Sequence, residues 1–135
     1  MNAYSWPVRV YYEDTDAAGV VYYANYLKFM ERARTEWLRA LGFEQTTLAH
    51  EHGVLFVVRA LTIEFLRPAL FNDGLEITVE FAGARGSLIE IAQTVRCGRE
   101  TLLTSKVKVA CVNTRSFKPV RIPGPVIEKL AARQR

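Results

Sequence analysis

The sequence predicts an α+β fold in which an antiparallel five-stranded sheet packs around one long central helix. Three observations carry this reading. The apolar residues Leu27, Met30, Ala33, Trp37, Leu38 and Leu41 recur at helical spacing. Further along, Leu75, Ile77, Val79 and Phe81 alternate with Glu76, Thr78 and Glu80 in the period-two pattern of a half-buried strand. Turn residues then divide the second half of the chain: Asn72-Asp73-Gly74, Gly83-Ala84-Arg85-Gly86 and Gly98 leave connections so short that they join antiparallel neighbours.

In chain order, Val8–Glu13, rich in Val and Tyr, reads as a first strand running into the polar turn Asp14–Gly19. The helix follows from Asn25 to Leu41. Phe29 and Ala40 widen its apolar face, Arg32, Arg34, Glu36 and Arg39 supply the polar remainder, and Gly42 is placed to stop it. A loop containing His50 and His52 leads to four strands at residues 54–66, 75–83, 87–97 and 101–113. Pro119, Pro123 and Pro125 introduce a short helix near residues 126–133. An apolar helix and a sheet with one apolar face bury each other most simply when the sheet curls round the helix, although periodicity alone also permits other two-layer packings.

At 135 residues, half of them hydrophobic, the chain is expected to form a single domain over residues 1–135 with a substantial core. Its apolar runs, such as Val54–Val58, fall far short of the roughly 20 residues that span a bilayer, so no membrane insertion is expected. The opening stretch meets Pro7, Arg9 and then acids before any apolar signal segment forms, which points to the cytoplasm. Cys97 and Cys111 have no CxxC or His partners and read as buried thiols. The net charge of +4 comes from 18 basic residues scattered among 14 acidic ones. That distribution argues against a nucleic-acid surface and suits a small phosphate-bearing ligand equally well.

The segment from Tyr12 to Tyr26 has an unusual composition for a connector. Glu13, Asp14 and Asp16 fall within four residues, Gly19 follows, and Tyr22, Tyr23 and Tyr26 stand at the entrance to the helix. Crowded carboxylates repel, and one held near an apolar helix is also desolvated; both effects prepare a base or nucleophile. The alternative is a solvated turn whose Asp side chains bond to nearby backbone N–H groups.

The motif Tyr12-x-Asp14-Thr15-Asp16-x-x-Gly19-x-Val21-x-Tyr23-x-Asn25-Tyr26, followed by Glu31-Arg32-Ala33-Arg34, resembles the 4-hydroxybenzoyl-CoA thioesterase family. Within it the similarity is closest to the YbgC-type acyl-CoA thioesterases linked with the bacterial Tol–Pal system. It continues through Phe56-Val57-Val58-Arg59 and the Pro68 turn to a strand ending near Val112, so it covers nearly the whole chain. The resemblance implies a hotdog fold, whose sheets join in a homodimer that can pair again into a tetramer. It implies hydrolysis of an acyl-CoA to free acid and CoA, with Asp16 as the catalytic carboxylate, either nucleophile or general base on water.

The same resemblance gives the backbone N–H of Tyr23 the task of polarising the thioester carbonyl. The first N–H groups of a helix lack partners within it and lie at its positive end, which suits a developing oxyanion. Gly19 would let the turn bring Asp16 and the helix start to one carbonyl, or serve as an ordinary turn glycine. Many YbgC-type members carry His where this chain has Tyr23, and a Tyr, with its ordinary pKa near 10, is a poor base, so the role carried over is the backbone N–H alone. Glu31 offers a second carboxylate on the helix, expected instead to pair with Arg34 or Arg59. Arg85 and Ser87 match the region of the family's CoA phosphates, with Lys106, Lys108, Lys118 and Arg121 as further candidates.

Phe56, Val57 and Val58 suit the lining of an acyl pocket, and their character fits short, long and aromatic acyl groups alike. His50 and His52 have no carboxylate or Cys at ligand spacing, so no metal site is expected. Hydrolysis would need no cofactor, since CoA belongs to the substrate. The competing class is a non-catalytic module that binds acyl-CoA or an acyl carrier protein. A hotdog dehydratase would need a His and acid pair, and neither His lies in the Asp16–Tyr23 segment.

Overall fold

The computed structural model describes residues 3–133, so residues 1, 2, 134 and 135 of the expected domain lie outside the described residues. The elements follow as β1 (Tyr4–Arg9), α1 (Asn25–Ala40), α2 (Gln45–His52), β2 (Val54–Phe65), β3 (Gly74–Arg85), β4 (Leu88–Cys97), β5 (Glu100–Asn113) and α3 (Gly124–Arg133). The strands form one antiparallel sheet in the order β1-β3-β4-β5-β2, which leaves β1 and β2 as its edges.

Alternation along the strands decides which face meets the helix. On β3, Leu75, Ile77 and Val79 are buried while Glu76 and Glu80 are exposed. On the outer face Glu90 of β4 stands opposite Lys108 of β5, a charged pairing that suits water. The inner face receives Phe29, Met30, Ala33 and Trp37 from α1, which join Ile77, Val79, Val95, Leu103 and Val107 in one core. Each large apolar side chain buried there contributes about 1.5–3 kcal/mol before the entropy of ordering the chain is counted.

One polar side chain crosses this core. Gln93 on β4 is fully buried, and its amide Nε2 donates to the Met30 carbonyl oxygen at 3.1 Å while its Oε1 accepts from Arg34 Nη1 at 3.0 Å. The Ser105 hydroxyl donates to the Gln93 carbonyl at 2.9 Å. The core thus pins α1 to the sheet by hydrogen bonds as well as by packing.

Three expectations are corrected. The first strand lies at Tyr4–Arg9 rather than Val8–Glu13, because its ladder partner β3 begins at Gly74, opposite Arg9. Pro7 fits there since β1 is an edge strand. Beyond it Tyr12–Asp14 form a single 3-10 turn, and the Asp14 carboxylate accepts from the Tyr11 backbone N–H at 2.8 Å. The loop expected around His50 and His52 is the helix α2, ended by Gly53 in the left-handed region with φ +68°, whose N–H donates to the Ala49 carbonyl. Only Leu48 of α2 is buried, so its sequence shows no apolar stripe. Glu31 makes no ion pair with Arg34 or Arg59; its carboxylate accepts from the Thr35 hydroxyl at 2.7 Å.

The remaining boundaries agree closely with the pattern. Gly42 ends α1 with φ +98° and donates its N–H to the Arg39 carbonyl, and α3 begins at Gly124. Among the described residues, no helix is long and apolar enough to cross a membrane.

Candidate active site

The acidic segment closes into a small looped ladder. Thr15 faces Val21, the Asp16 N–H donates to the Val20 carbonyl at 2.9 Å, and the Gly19 N–H donates back to the Asp16 carbonyl at 2.9 Å. Gly19 sits at φ +83°, and a Cβ there would meet nothing within 4 Å, so the backbone angle rather than space calls for glycine. The ladder is anchored to the rest of the fold where the Val21 N–H donates to the Ala69 carbonyl and Val20 faces Leu70.

Within this loop the two aspartates have different surroundings. Asp14 is braced: its carboxylate takes the Tyr11 N–H, and its carbonyl accepts from both the Tyr22 N–H and the Asn25 side-chain amide, each at 2.9 Å. Asp16 is exposed; its Oδ1 accepts from the Ala18 N–H at 2.8 Å, and Oδ2 has no partner among the described residues. One carboxylate oxygen therefore orients the group and the other is available for chemistry.

Asn25 opens α1, and the residues before it carry the free donor. The Tyr22 carbonyl accepts from the Asn25 N–H at 2.8 Å, whereas the Tyr23 N–H donates to no acceptor among the described residues. The Tyr23 ring packs edge-on against Phe65 at the end of β2, with centroids 6.4 Å apart. The Tyr22 ring lies against that of Tyr23, with centroids 4.9 Å apart, and interaction with Tyr23 pushes the Tyr22 phenol above its ordinary value, so it stays protonated near neutral pH.

The other expected site residues lie at the opposite end of the sheet. Arg85 pairs with Leu88, Leu88 with Ala110, and Ala110 with Val57, so Arg85, Ser87, Val57 and Val58 share the end where β3 and β5 finish and β2 and β4 begin. Phe65, the neighbour of Tyr23, is eight residues along β2 from Val57, about 26 Å at ~3.3 Å per residue. One chain thus carries two separated groups: Asp16, Gly19 and Tyr23 at one end, and Val57, Val58, Arg85 and Ser87 at the other.

At that second end a cavity of about 340 Å³ opens between α1 and the sheet. Val57 and Val58 line it with Phe56, Ile89, Ile91 and Val109, and opposite them stand Glu31, Arg34, Thr35 and Gln45. The polar wall was not evident from the sequence beyond the helical spacing of Glu31, Arg34, Thr35 and Leu38. Burial pushes the Arg34 guanidinium below its ordinary value, with the nearby Glu31 charge partly opposing this.

Comparison with known proteins agrees with this architecture. Residues 10–131 match the family model of the thioesterase-like superfamily. The chain is 50% identical over 127 residues to the acyl-CoA thioesterase YbgC of Haemophilus influenzae, covering 93% of this chain and 92% of that protein. It is 46% identical over 125 residues to the acyl-CoA thioester hydrolase YbgC of Escherichia coli, covering 92% of each. Among solved structures, the "probable thioesterase" of Bartonella henselae superposes with a TM-score of 0.86 at 40% identity, over 90% of this chain and 99% of that one. With the antiparallel sheet, the buried α1 and these matches in place, the chain belongs to the thioesterase-like superfamily of hotdog proteins, alongside the YbgC thioesterases.

Proposed function

We propose that the chain hydrolyses acyl-CoA thioesters to a free acid and CoA, at a site assembled from two copies. The observation that carries this is the pairing, in one short loop, of an oriented Asp16 carboxylate with a free oxygen and an unengaged Tyr23 N–H at the start of α1. A thioester carbonyl bound between them meets a nucleophile or base and an oxyanion donor. As nucleophile, Asp16 Oδ2 forms a C–O bond to the carbonyl carbon, the C–S bond breaks, CoA leaves as thiolate and takes a proton from water, and a second water opens the mixed anhydride. As general base, Asp16 takes a proton from the water whose oxygen attacks the same carbon, the C–S bond breaks, and the Asp16 carboxyl returns that proton to the departing CoA thiolate. Both routes end in the same acid and thiol, and neither needs a metal or redox cofactor.

The separation of the two groups supports a homodimer. Edge strand β2 exposes Val57, Val58, Leu61 and Phe65. Leu61 lies midway between Val57 and Phe65, so antiparallel pairing of two β2 edges about Leu61 would set Val57 of one copy across from Phe65 of the other. The Asp16 loop of each copy would then meet the cavity and the Arg85–Ser87 turn of its partner, where Arg85 can grip a CoA phosphate. A further pairing of dimers into a tetramer is compatible with this edge contact. An acyl carrier protein presents the same thioester on a phosphopantetheine arm and is a second donor for the site.

The test is a screen of purified protein over acyl-CoAs of graded aliphatic length and over aromatic thioesters, reading free-thiol release. Turnover of at least one class is expected. Binding without release of thiol from any of them would replace this reading with that of a non-catalytic acyl-binding module.

A further inference from the structure

The cavity beneath α1 has two chemically different walls, and the guanidinium on one of them makes no ion pair among the described residues. The sheet wall, made of Phe56, Val57, Val58, Ile89, Ile91 and Val109, is apolar throughout. The helix wall is the stripe Glu31, Arg34, Thr35 and Leu38, with Gln45 added from α2. Its polar groups are already partly spoken for: the Gln45 amide donates to the Thr35 hydroxyl at 3.3 Å, and that hydroxyl donates to Glu31 Oε2 at 2.7 Å.

Arg34 stands apart from this chain. Among the described residues it is the only basic side chain lining the cavity; it is half-buried, and its one hydrogen bond among them runs to the neutral Oε1 of fully buried Gln93 at 3.0 Å. The ion pairs among the described residues join Arg39 to Glu36 and Glu44, and Arg67 to Glu100, but not Arg34 to any carboxylate. Glu31, one turn away, spends its hydrogen bond on Thr35 and sits at the exposed rim. A guanidinium carries five N–H donors in a planar fork that fits a carboxylate through two parallel bonds. Partly removing it from water without an opposite charge in contact is costly, and a bound anion would remove that cost.

We infer that Arg34 is a specificity-determining residue that receives a carboxylate at the far end of the acyl group, so that the preferred substrates are CoA thioesters of short dicarboxylic acids. The inference rests on the two-copy thioesterase site proposed above, with this cavity taking the acyl group of a substrate whose thioester meets Asp16 of the other copy. The apolar sheet wall covers the methylenes between thioester and carboxylate. At ~30 Å³ per heavy atom, the share of a water in the liquid, the cavity admits about ten non-hydrogen atoms, which accommodates glutaryl and adipoyl groups. Glu31 on the same wall sets the opposing term, so its neutralisation should strengthen the preference.

Binding and turnover separate this inference from the reading it rests on. Calorimetric titration of the Asp16→Asn protein compares glutaryl-CoA with valeryl-CoA, and adipoyl-CoA with hexanoyl-CoA. Each carboxyl-ended thioester is expected to bind at least about tenfold tighter than its methyl-ended match, the weight of one charge-assisted hydrogen bond. Adding Arg34→Gln should erase the difference, Arg34→Lys should keep part of it, and Glu31→Gln should enlarge it. In the hydrolysing wild type the same preference should appear in KM more than in kcat. Equal or weaker binding of the carboxyl-ended members overturns the inference whatever the turnover, as does an Arg34→Gln loss that falls equally on both members of a pair. Tight, Arg34-dependent binding without hydrolysis of any thioester would uphold the inference and overturn the enzymatic reading. Thermal melts confirm that each variant is folded, and the wild-type preference alone still decides if Arg34→Gln is not.

Discussion

The Asn25 side-chain amide donates to the backbone carbonyl of Asp14 at 2.9 Å, tying the first residue of α1 to the acidic loop that precedes it. The Tyr22 N–H reaches the same carbonyl, and the Asp14 carboxylate holds the Tyr11 N–H. The loop that carries Asp16 is therefore positioned from the helix start rather than left to solvent.

Breaking this brace should cost stability more than chemistry. Asn25→Ala and Asp14→Ala each remove a side-chain hydrogen bond worth about 1 kcal/mol, or a melting shift of about 3–6 °C. Asp14→Asn keeps an acceptor oxygen and should melt closer to the wild type. Thermal unfolding followed by circular dichroism measures all three. Unchanged melting in both Ala variants would mean that the loop is held elsewhere.

Asp16→Asn should leave a folded protein that binds acyl-CoA and hydrolyses almost none of it. Asn preserves size and the bond to the Ala18 N–H while removing the charge, so the loss reports chemistry rather than packing. A fall in kcat of about 10² or more is expected. Glu31→Gln is the companion measurement: if that variant is the inactive one and Asp16→Asn retains near-normal kcat, the carboxylate on α1 is the catalytic group.

Arg85→Ala should raise KM about tenfold and change kcat little, since a phosphate grip far from the carbonyl contributes to binding in ground and transition state alike. The defect should shrink for an acyl-pantetheine that lacks the nucleotide. Equal defects on intact and truncated substrates would shift attention to Lys118 and Arg121, which are also exposed.

Leu61→Glu tests the two-copy site. Leu61 is exposed on the edge strand, so the charge should cost a single chain within about 0.5 kcal/mol, yet it would bury two carboxylates against each other if β2 edges meet there. Light scattering should show the variant as monomer, with activity falling in step. Full activity in a monomer would place all the site's groups within one chain.

Hydrophobic period determined much of this protein before any tertiary contact was considered. The stripe from Leu27 to Leu41 specified α1, and alternation with glycine-bearing turns specified β2 to β5 within a few residues, because helical and strand periods are local consequences of backbone geometry. The turn at Asp16 and Gly19 was legible for the same reason, since its chemistry lies in consecutive residues. Tertiary structure decided the rest. The first strand moved to Tyr4–Arg9 because β3, some seventy residues away, supplies its partners. The helix α2 escaped notice because a polar segment with one buried Leu48 has no stripe to detect. Arg34 and Gln93 meet across 59 positions, and Asp16 and Arg85 stand at opposite ends of one sheet, because the order β1-β3-β4-β5-β2 is set by pairing between distant strands. Local pattern names the elements, while long-range packing and hydrogen bonding decide which side chains they bring together.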